Sequence, residues 1–141
     1  MRPQEFTVFL VDDDPDLRRS LKRLFAAEDL PVKAYSTAQE FLDAFNPASR
    51  GCLVLDVWLP GMSGIGLQKH LMTDGLSIPI IFITGQANIP MVVEAMKGGA
   101  ADFIVKPFRG QELLNRIHQV LARDANARRR VPAQAAHAVS T

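Results

Sequence analysis

Acidic residues that directly follow apolar runs are the first candidates for chemistry in this 141-residue chain. The stretch FLVDDDPD places Asp12, Asp13 and Asp14 at the end of one run, and GCLVLD places Asp56 at the end of another. Neighbouring carboxylates repel one another, and this repulsion raises the pKa of at least one of them. We therefore expect a counter-charge nearby, either a basic side chain or a hard divalent cation such as Mg²⁺, which prefers oxygen ligands.

A hydroxyl and an ammonium group follow two further apolar runs. Thr84 ends IIFIT, and Lys106 ends DFIVK and precedes Pro107. If these runs are parallel strands, the residues at their carboxyl ends gather at one edge of the sheet. A metal, a lysine and a hydroxyl around one carboxylate form a set suited to phosphoryl transfer, and carboxylates can accept a phosphoryl group. The motif GxxxxGK[ST] is absent from the sequence, so a nucleotide is not the expected donor.

Five short apolar runs alternate with segments of helical periodicity. Four of the runs are rich in Val, Ile, Leu or Phe without strict polar alternation, which is typical of parallel strands buried on both faces. The remaining run, VKAYS, alternates and indicates an edge strand. The predicted strands are Phe6–Val11, Val32–Ser36, Cys52–Leu55, Ile78–Ile83 and Ala101–Val105.

Signals typical of helix ends lie between the predicted strands. Asp14 followed by Pro15 indicates the start of the first helix, Ser36 or Thr37 that of the second, and Asn88 that of the fourth. Gly61 and Gly64 precede the third helix, and Gly98 and Gly99 end the fourth. The order βαβαβαβαβα predicts an α/β fold, a doubly wound five-stranded parallel sheet with helices on both faces.

Composition and charge exclude several classes of protein. Hydrophobic residues make up 48% and charged residues 22%, as expected for one globular domain, and the net charge of +1 creates no field toward nucleic acid or membrane. The single cysteine, Cys52, fits a reducing compartment. A signal-peptide pattern and an apolar run of about 18 residues are both absent, so we expect a cytoplasmic domain without membrane association.

Three motifs carry a resemblance to a known family. The stretches VDDDPDLRRSL, LDVWLPGMSG and IIFITGQANIPMVVEAMKGGAADFIVKPF, in this order and spacing, resemble the receiver domain of two-component response regulators, especially the FixJ-like type. The resemblance implies the flavodoxin-like strand order 2-1-3-4-5 and a receiver domain over residues 1–123. It also implies that residues 124–141 are a linker or tail toward a C-terminal DNA-binding domain, of the LuxR helix-turn-helix type, outside this chain.

The resemblance also implies roles for the acidic residues. Asp56 would accept a phosphoryl group from a cognate sensor histidine kinase. Asp13 and Asp56 would ligate Mg²⁺ or Mn²⁺ directly, Asp12 would do so mainly through water, and the backbone carbonyl of Trp58 would complete the set of ligands. Asp14 would act only as the helix cap.

Further roles implied by the resemblance concern the switch. Thr84 and Lys106 would contact the phosphoryl group, Phe103 would be the switch aromatic, and the peptide bond between Lys106 and Pro107 would be cis. Phosphorylation would then change a surface of helix 4, strand 5 and helix 5, through which the domain would form a homodimer. The domain would promote its own phosphorylation without being a turnover enzyme, and DNA would be contacted only through the output domain.

Alternative interpretations stay open at this point. The chain would be a stand-alone or phosphorylation-independent interaction module if its acidic pocket were a relic. A hydrolase of the aspartyl-phosphate type would need a second acid two residues after the nucleophile, where this sequence has Trp58. Phe103 is either a switch residue or a core residue, and Trp58 either shields the acceptor from water or covers an apolar rim.

Overall fold

Five parallel strands alternate with helices in the computed structural model, which describes residues 5–124. The elements are β1 Phe6–Val11, α1 Pro15–Ala27, β2 Val32–Tyr35, α2 Ala38–Ala44, β3 Arg50–Asp56, α3 Gly64–Thr73, β4 Ile80–Thr84, α4 Ile89–Lys97, β5 Asp102–Val105, and α5 over 110–124. Asp124, placed in the tail by the sequence prediction, is helical and pairs with Arg50, whose Nε lies 3.1 Å from Asp124 Oδ2. The rest of the predicted tail, 125–141, lies outside the described residues.

The sheet has the order β2-β1-β3-β4-β5, and all its neighbouring strands are parallel. This arrangement confirms the predicted doubly wound fold and its strand order. The order reverses between β1 and β3, where Val11 is paired with Leu55, directly before Asp12 and Asp56. Crevices at such reversals lie beyond the carboxyl ends of the strands and are where ligands bind in open α/β sheets.

Several strand boundaries differ from the sequence prediction by one or two residues, since β3 spans Arg50–Asp56, β4 ends at Thr84 and β5 begins at Asp102. Hydrogen bonding explains two further differences. β4 begins at Ile80 instead of Ile78, since Pro79 has no N–H group to donate to a ladder. β2 ends at Tyr35 instead of Ser36, because the Ser36 N–H donates to the Glu40 side chain at 2.8 Å in the next helix.

Side chains at the N-termini fix where the helices begin. Asp14 accepts hydrogen bonds from the first turn of α1, Thr37 forms a capping box at α2, and Asn88 caps α4, as predicted. Ser63 caps α3 by accepting a hydrogen bond from Gly66 N, a cap that the sequence prediction missed. These caps set the position of each helix relative to the strand that precedes it.

Two apolar layers cover the two faces of the sheet. Neighbouring strand residues point to opposite faces, so Leu10 packs beneath α1 and α5 while Phe9 packs beneath α2, α3 and α4. Cys52 is fully buried in the first layer, and burial raises the pKa of its thiol to about 12, so it is a packing residue. Within residues 5–124, no helix combines the length and apolar character needed to cross a bilayer.

The close approach of β1 to β3 depends on Gly51. A Cβ atom at this position would overlap the carbonyl oxygen of Thr7, its partner in the ladder. We expect Gly51→Ala to lower the free energy of unfolding by roughly 2 kcal/mol or more, because two strands of the central sheet must separate locally. Urea denaturation monitored by circular dichroism measures this change.

Gly85→Ala is the matched control for this substitution, since a Cβ atom at Gly85 would have no neighbour within 4 Å. Equal stability of the two variants would contradict the importance of the contact between Gly51 and Thr7.

Candidate functional site

Three predicted carboxylates meet at the edge where β1 and β3 end. One carboxylate oxygen from each of Asp12, Asp13 and Asp56 lies within 4.8 Å of the others. Asp12 is fully buried and Asp56 is 5% exposed, while Asp13 is exposed to solvent. The site therefore combines two desolvated carboxylates with a third that faces outward.

The main chain around Asp12 fixes this residue in place. Its N–H donates to the carbonyl of Tyr35 at 3.1 Å, and its Oδ1 accepts from the N–H of Asp14 at 2.9 Å. The guanidinium of Arg18 donates to the Asp12 carbonyl at 2.8 Å, one turn into α1. Asp14 thus caps α1 and also holds the neighbouring carboxylate, a role that the sequence prediction missed.

Lys106 reaches this carboxylate pair from the end of β5. Its Nζ lies 2.8 Å from Asp12 Oδ2 and 3.5 Å from Asp56 Oδ2. The Lys106 N–H donates to the carbonyl of Thr84 at 2.7 Å, and the peptide bond between Lys106 and Pro107 is cis. The predicted acid and ammonium groups thus share one pocket, with the ammonium closer to Asp12.

Burial and charge oppose each other at the two groups that face the pocket. Burial, followed by the negative charge of Asp12, raises the pKa of Asp56 above its ordinary value, and the opposing effect of Lys106 is smaller. Burial lowers the pKa of Lys106, but hydrogen bonding to Asp12 and the charges of both carboxylates outweigh it, so the pKa is raised. Lys106 therefore neutralises Asp12 better than Asp56.

The donor set fits a small hard cation. The three carboxylates carry two more charges than the Lys106 ammonium can balance, and all their donor atoms are oxygen. Mg²⁺ typically takes one or two carboxylates and keeps several waters, and Mn²⁺ accepts the same ligands. The exposed carboxylate of Asp13 leaves one side of the pocket open to such a cation.

Thr84 and Phe103, the residues predicted to respond to phosphorylation, make contacts with groups other than the three carboxylates. Thr84 is fully buried, and its hydroxyl donates to the carbonyl of Gln86 at 3.2 Å and accepts from the Gln86 N–H at 3.2 Å. Phe103 is half-buried and packs against Phe82, with ring centroids 6.0 Å apart. Thr84 thus ends β4 while Phe103 lies inside β5, paired with Phe82, and the Thr84 hydroxyl is hydrogen-bonded to Gln86 and not to Asp56.

Trp58 contacts the acceptor position through its main chain. Its N–H donates to Asp56 Oδ1 at 3.2 Å. The residue is 52% exposed, and its Nε1 donates to the carbonyl of Gln86 at 2.9 Å. The sequence prediction assigned only the carbonyl of Trp58 and did not find the link to Gln86, because nothing local in the sequence joins residues 28 positions apart.

Gly64 allows α3 to begin directly against the acceptor strand. A Cβ atom here would overlap the carbonyl oxygen of Asp56, and the Gly64 N–H donates to the carbonyl of Val57 at 2.9 Å. The turn sequence PGMSG signals a tight bend, but it does not reveal which backbone the glycine approaches. Gly64 thus permits the close packing of α3 against the end of β3.

Comparisons of the sequence with known proteins identify one family. The family model of the response regulator receiver domain matches residues 8–118. Nodulation protein W of Bradyrhizobium diazoefficiens is 51% identical over 121 residues, which are 86% of this chain and 53% of that protein. Transcriptional regulatory protein FixJ of Azorhizobium caulinodans is 40% identical over 132 residues, 94% of this chain and 63% of that protein.

The solved structure of the response regulator StyR superposes with a TM-score of 0.84. It is 45% identical in sequence, and the match covers 92% of this chain and 66% of that chain. The chain spans about half the length of curated relatives that it matches, such as Nodulation protein W at 53%. These relatives therefore contain a further region beyond the shared one.

The raised pKa of Asp56 predicts a pH-dependent cost to folding in the absence of divalent cations. A carboxyl group with a raised pKa is easier to bury when protonated, so its cost is absent below the ordinary value of 3.8 and complete above the folded-state pKa. We expect Asp56→Asn to raise the free energy of unfolding at pH 7, and this gain to vanish as the pH falls toward 3.8. Urea denaturation across this pH range measures the difference.

Asp43→Asn provides the control, since Asp43 is exposed on α2. If Asp56→Asn does not raise the free energy of unfolding at pH 7, or raises it equally at acidic pH, the raised pKa of Asp56 is contradicted.

Proposed function

The chain belongs to the family of response regulator receiver domains, and on this premise we propose that Asp56 accepts a phosphoryl group from a sensor histidine kinase. The observation that carries the proposal is the pocket in which Asp56, 5% exposed, faces Asp12, Asp13 and Lys106. Lys106 lies farther from Asp56 than from Asp12, so its ammonium neutralises Asp56 less and leaves this carboxylate available to react.

The transfer is a displacement at phosphorus. A carboxylate oxygen of Asp56 forms the new P–O bond, the P–N bond of the donor phosphohistidine breaks, and the leaving imidazole takes up a proton. Lys106, 3.5 Å from Asp56, is placed to move its ammonium toward the oxygens of the arriving group.

Receiver domains bind Mg²⁺ at an acidic pocket, and Asp12, Asp13 and Asp56 form such a group here. These residues, with the carbonyl of Trp58, would hold Mg²⁺ or Mn²⁺, which would supply positive charge against the phosphoryl oxygens. The excess negative charge of the pocket supports this assignment.

Phosphorylation would act on Thr84 at the end of β4 and on Phe103 within β5. The acyl phosphate adds negative charge and acceptor oxygens, toward which the Thr84 hydroxyl turns, and Phe103 then packs into the vacated space. A shift from mostly inactive to mostly active needs roughly 5.5 kcal/mol. A few charge-assisted hydrogen bonds of about 1.5–3 kcal/mol each supply that amount.

The responding surface would be that of α4, β5 and α5. Apolar side chains are exposed here without a covering element, namely Ile89, Val93, Met96 and Val105, which are 80%, 42%, 43% and 51% exposed. A second copy of the domain would cover them in a homodimer.

A transcription-regulating output is proposed from the relatives. Proteins that match this chain are named as transcriptional regulators, among them that of Azorhizobium caulinodans, and they extend beyond the shared region. We therefore propose that this receiver domain controls a DNA-binding domain of the LuxR type, and that DNA is contacted through that domain alone.

Phosphorylation is tested by intact mass spectrometry. Incubation of the protein with acetyl phosphate and Mg²⁺ should add the mass of one phosphoryl group, because Asp56 is placed to react and the cation neutralises the pocket. Asp56→Asn should gain no mass, and a chelator should abolish the gain of the wild type.

Asp43→Asn, an exposed carboxylate on α2, should be labelled like the wild type. An unlabelled wild type, or equal labelling of Asp56→Asn, would leave a phosphorylation-independent interaction module as the better interpretation.

Dimerisation is tested by sizing the protein before and after phosphorylation. Val93→Lys places a charge in the exposed apolar surface of α4 and should weaken dimerisation of the phosphorylated protein roughly tenfold while labelling is unchanged. Analytical ultracentrifugation over a range of concentrations measures the association constant.

Met72→Lys is the control, since Met72 is a similarly exposed apolar residue on α3, outside this surface. A dimer disrupted by Met72→Lys but not by Val93→Lys would place the interface elsewhere.

A further inference from the structure

Three hydrogen bonds meet at the backbone of Gln86, directly after β4. Its carbonyl accepts from Trp58 Nε1 at 2.9 Å and from the Thr84 hydroxyl at 3.2 Å. Its N–H donates to the same hydroxyl at 3.2 Å. The carbonyl of Gln86 is thus shared between the side chain of Trp58 and that of the residue proposed to contact the phosphoryl group.

Trp58 connects this carbonyl to the acceptor carboxylate. Its backbone N–H donates to Asp56 Oδ1 at 3.2 Å, while its indole N–H reaches across to the loop between β4 and α4. Trp58 is 52% exposed, so burial in the core does not set the position of its side chain. The hydrogen bond to Gln86 therefore contributes to fixing the position of the ring.

The hydroxyl of Thr84 has a single proton. Donating it to the Gln86 carbonyl is incompatible with donating it to a phosphoryl oxygen on Asp56, so phosphorylation requires this hydrogen bond to break. The indole N–H fixes the carbonyl in the orientation that Thr84 uses as its acceptor. Any interaction that fixes this carbonyl favours the resting arrangement of Thr84.

We propose that Trp58 is a positioning residue that holds Thr84 in its resting arrangement through the carbonyl of Gln86, and so opposes activation. This inference rests on the proposed roles of Asp56 and Thr84. It assigns the indole N–H, and not merely the bulk of the ring, to control of the switch. Loss of one hydrogen bond of ordinary strength corresponds to roughly a two- to tenfold change in an equilibrium constant.

The test uses beryllofluoride with Mg²⁺ as a phosphoryl analogue, since its binding is an equilibrium without hydrolysis. Trp58→Phe keeps an aromatic ring but removes the N–H donor, and it should bind beryllofluoride roughly two- to tenfold more tightly than the wild type. Titrations followed by ¹H–¹⁵N NMR of the backbone amides give the dissociation constants. Thermal denaturation should show that the substitution leaves the fold intact.

Thr84→Ala supplies the second arm of a double-mutant cycle. Thr84→Ala removes the hydroxyl, and with it the hydrogen bond to Gln86 that Trp58 is proposed to stabilise. Adding Trp58→Phe to this variant should therefore leave its affinity for beryllofluoride unchanged. If Trp58→Phe increases the affinity for beryllofluoride equally in the wild type and in Thr84→Ala, the ring acts independently of the Thr84 hydroxyl. That result would overturn the inference. Unchanged or weaker binding by Trp58→Phe alone would overturn it too.

The wild type separates this inference from the proposed function. If the wild type fails to bind beryllofluoride, the proposed function fails and this inference fails with it. If the wild type binds beryllofluoride and Trp58→Phe binds it with the same affinity, only the role of Trp58 is wrong. The chain has one tryptophan, so its indole N–H gives a unique NMR signal. Slow solvent exchange of this proton is expected in the resting protein, and fast exchange would contradict the hydrogen bond to Gln86.

Discussion

Two buried carboxylates share one ammonium at the edge of this sheet, and the sharing is unequal. Lys106 lies 2.8 Å from Asp12 and 3.5 Å from Asp56, so Asp12 is paired well and Asp56 poorly. Charged groups out of water are costly unless they are paired, and the raised pKa of Asp56 reflects this cost. The same imbalance leaves excess negative charge in the pocket, which supports the proposed binding of a cation and the proposed role of Asp56 as acceptor.

The rest of the fold compensates for the cost of burying two unequally paired carboxylates. The sheet is covered by helices on both faces, so the carboxyl ends of β1 and β3 are where polar groups reach a crevice. Main-chain groups satisfy the buried carboxylates, with the N–H of Asp14 on Asp12 and the N–H of Trp58 on Asp56. Gly64 lets the start of α3 pack directly against the backbone of Asp56. The buried carboxylates therefore destabilise the fold at one edge of the sheet, and burial of the two apolar layers offsets this cost.

Communication from the pocket to the surface has a short physical route. Thr84 ends β4 and binds the backbone of Gln86, which lies two residues before the cap of α4 at Asn88. In the proposed switch, a change at the hydroxyl of Thr84 would act on the loop that leads into α4, whose exposed apolar side chains form the proposed dimer surface. Phe103 on β5 lies beside this route, packed against Phe82 in the layer beneath α4.

Local patterns in the sequence determined the order of the elements, the strand ends that carry Asp12, Asp56, Thr84 and Lys106, and the caps at Asp14 and Asn88. Period, capping and residue type act over a few neighbouring residues, so they can be read without a structure. Tertiary structure alone decided that Lys106 approaches Asp12 more closely than Asp56, that Gly64 fits against Asp56, and that Trp58 shares the Gln86 carbonyl with Thr84. These contacts join segments as much as 94 residues apart, and their distances depend on how crossovers and packing bring whole elements together.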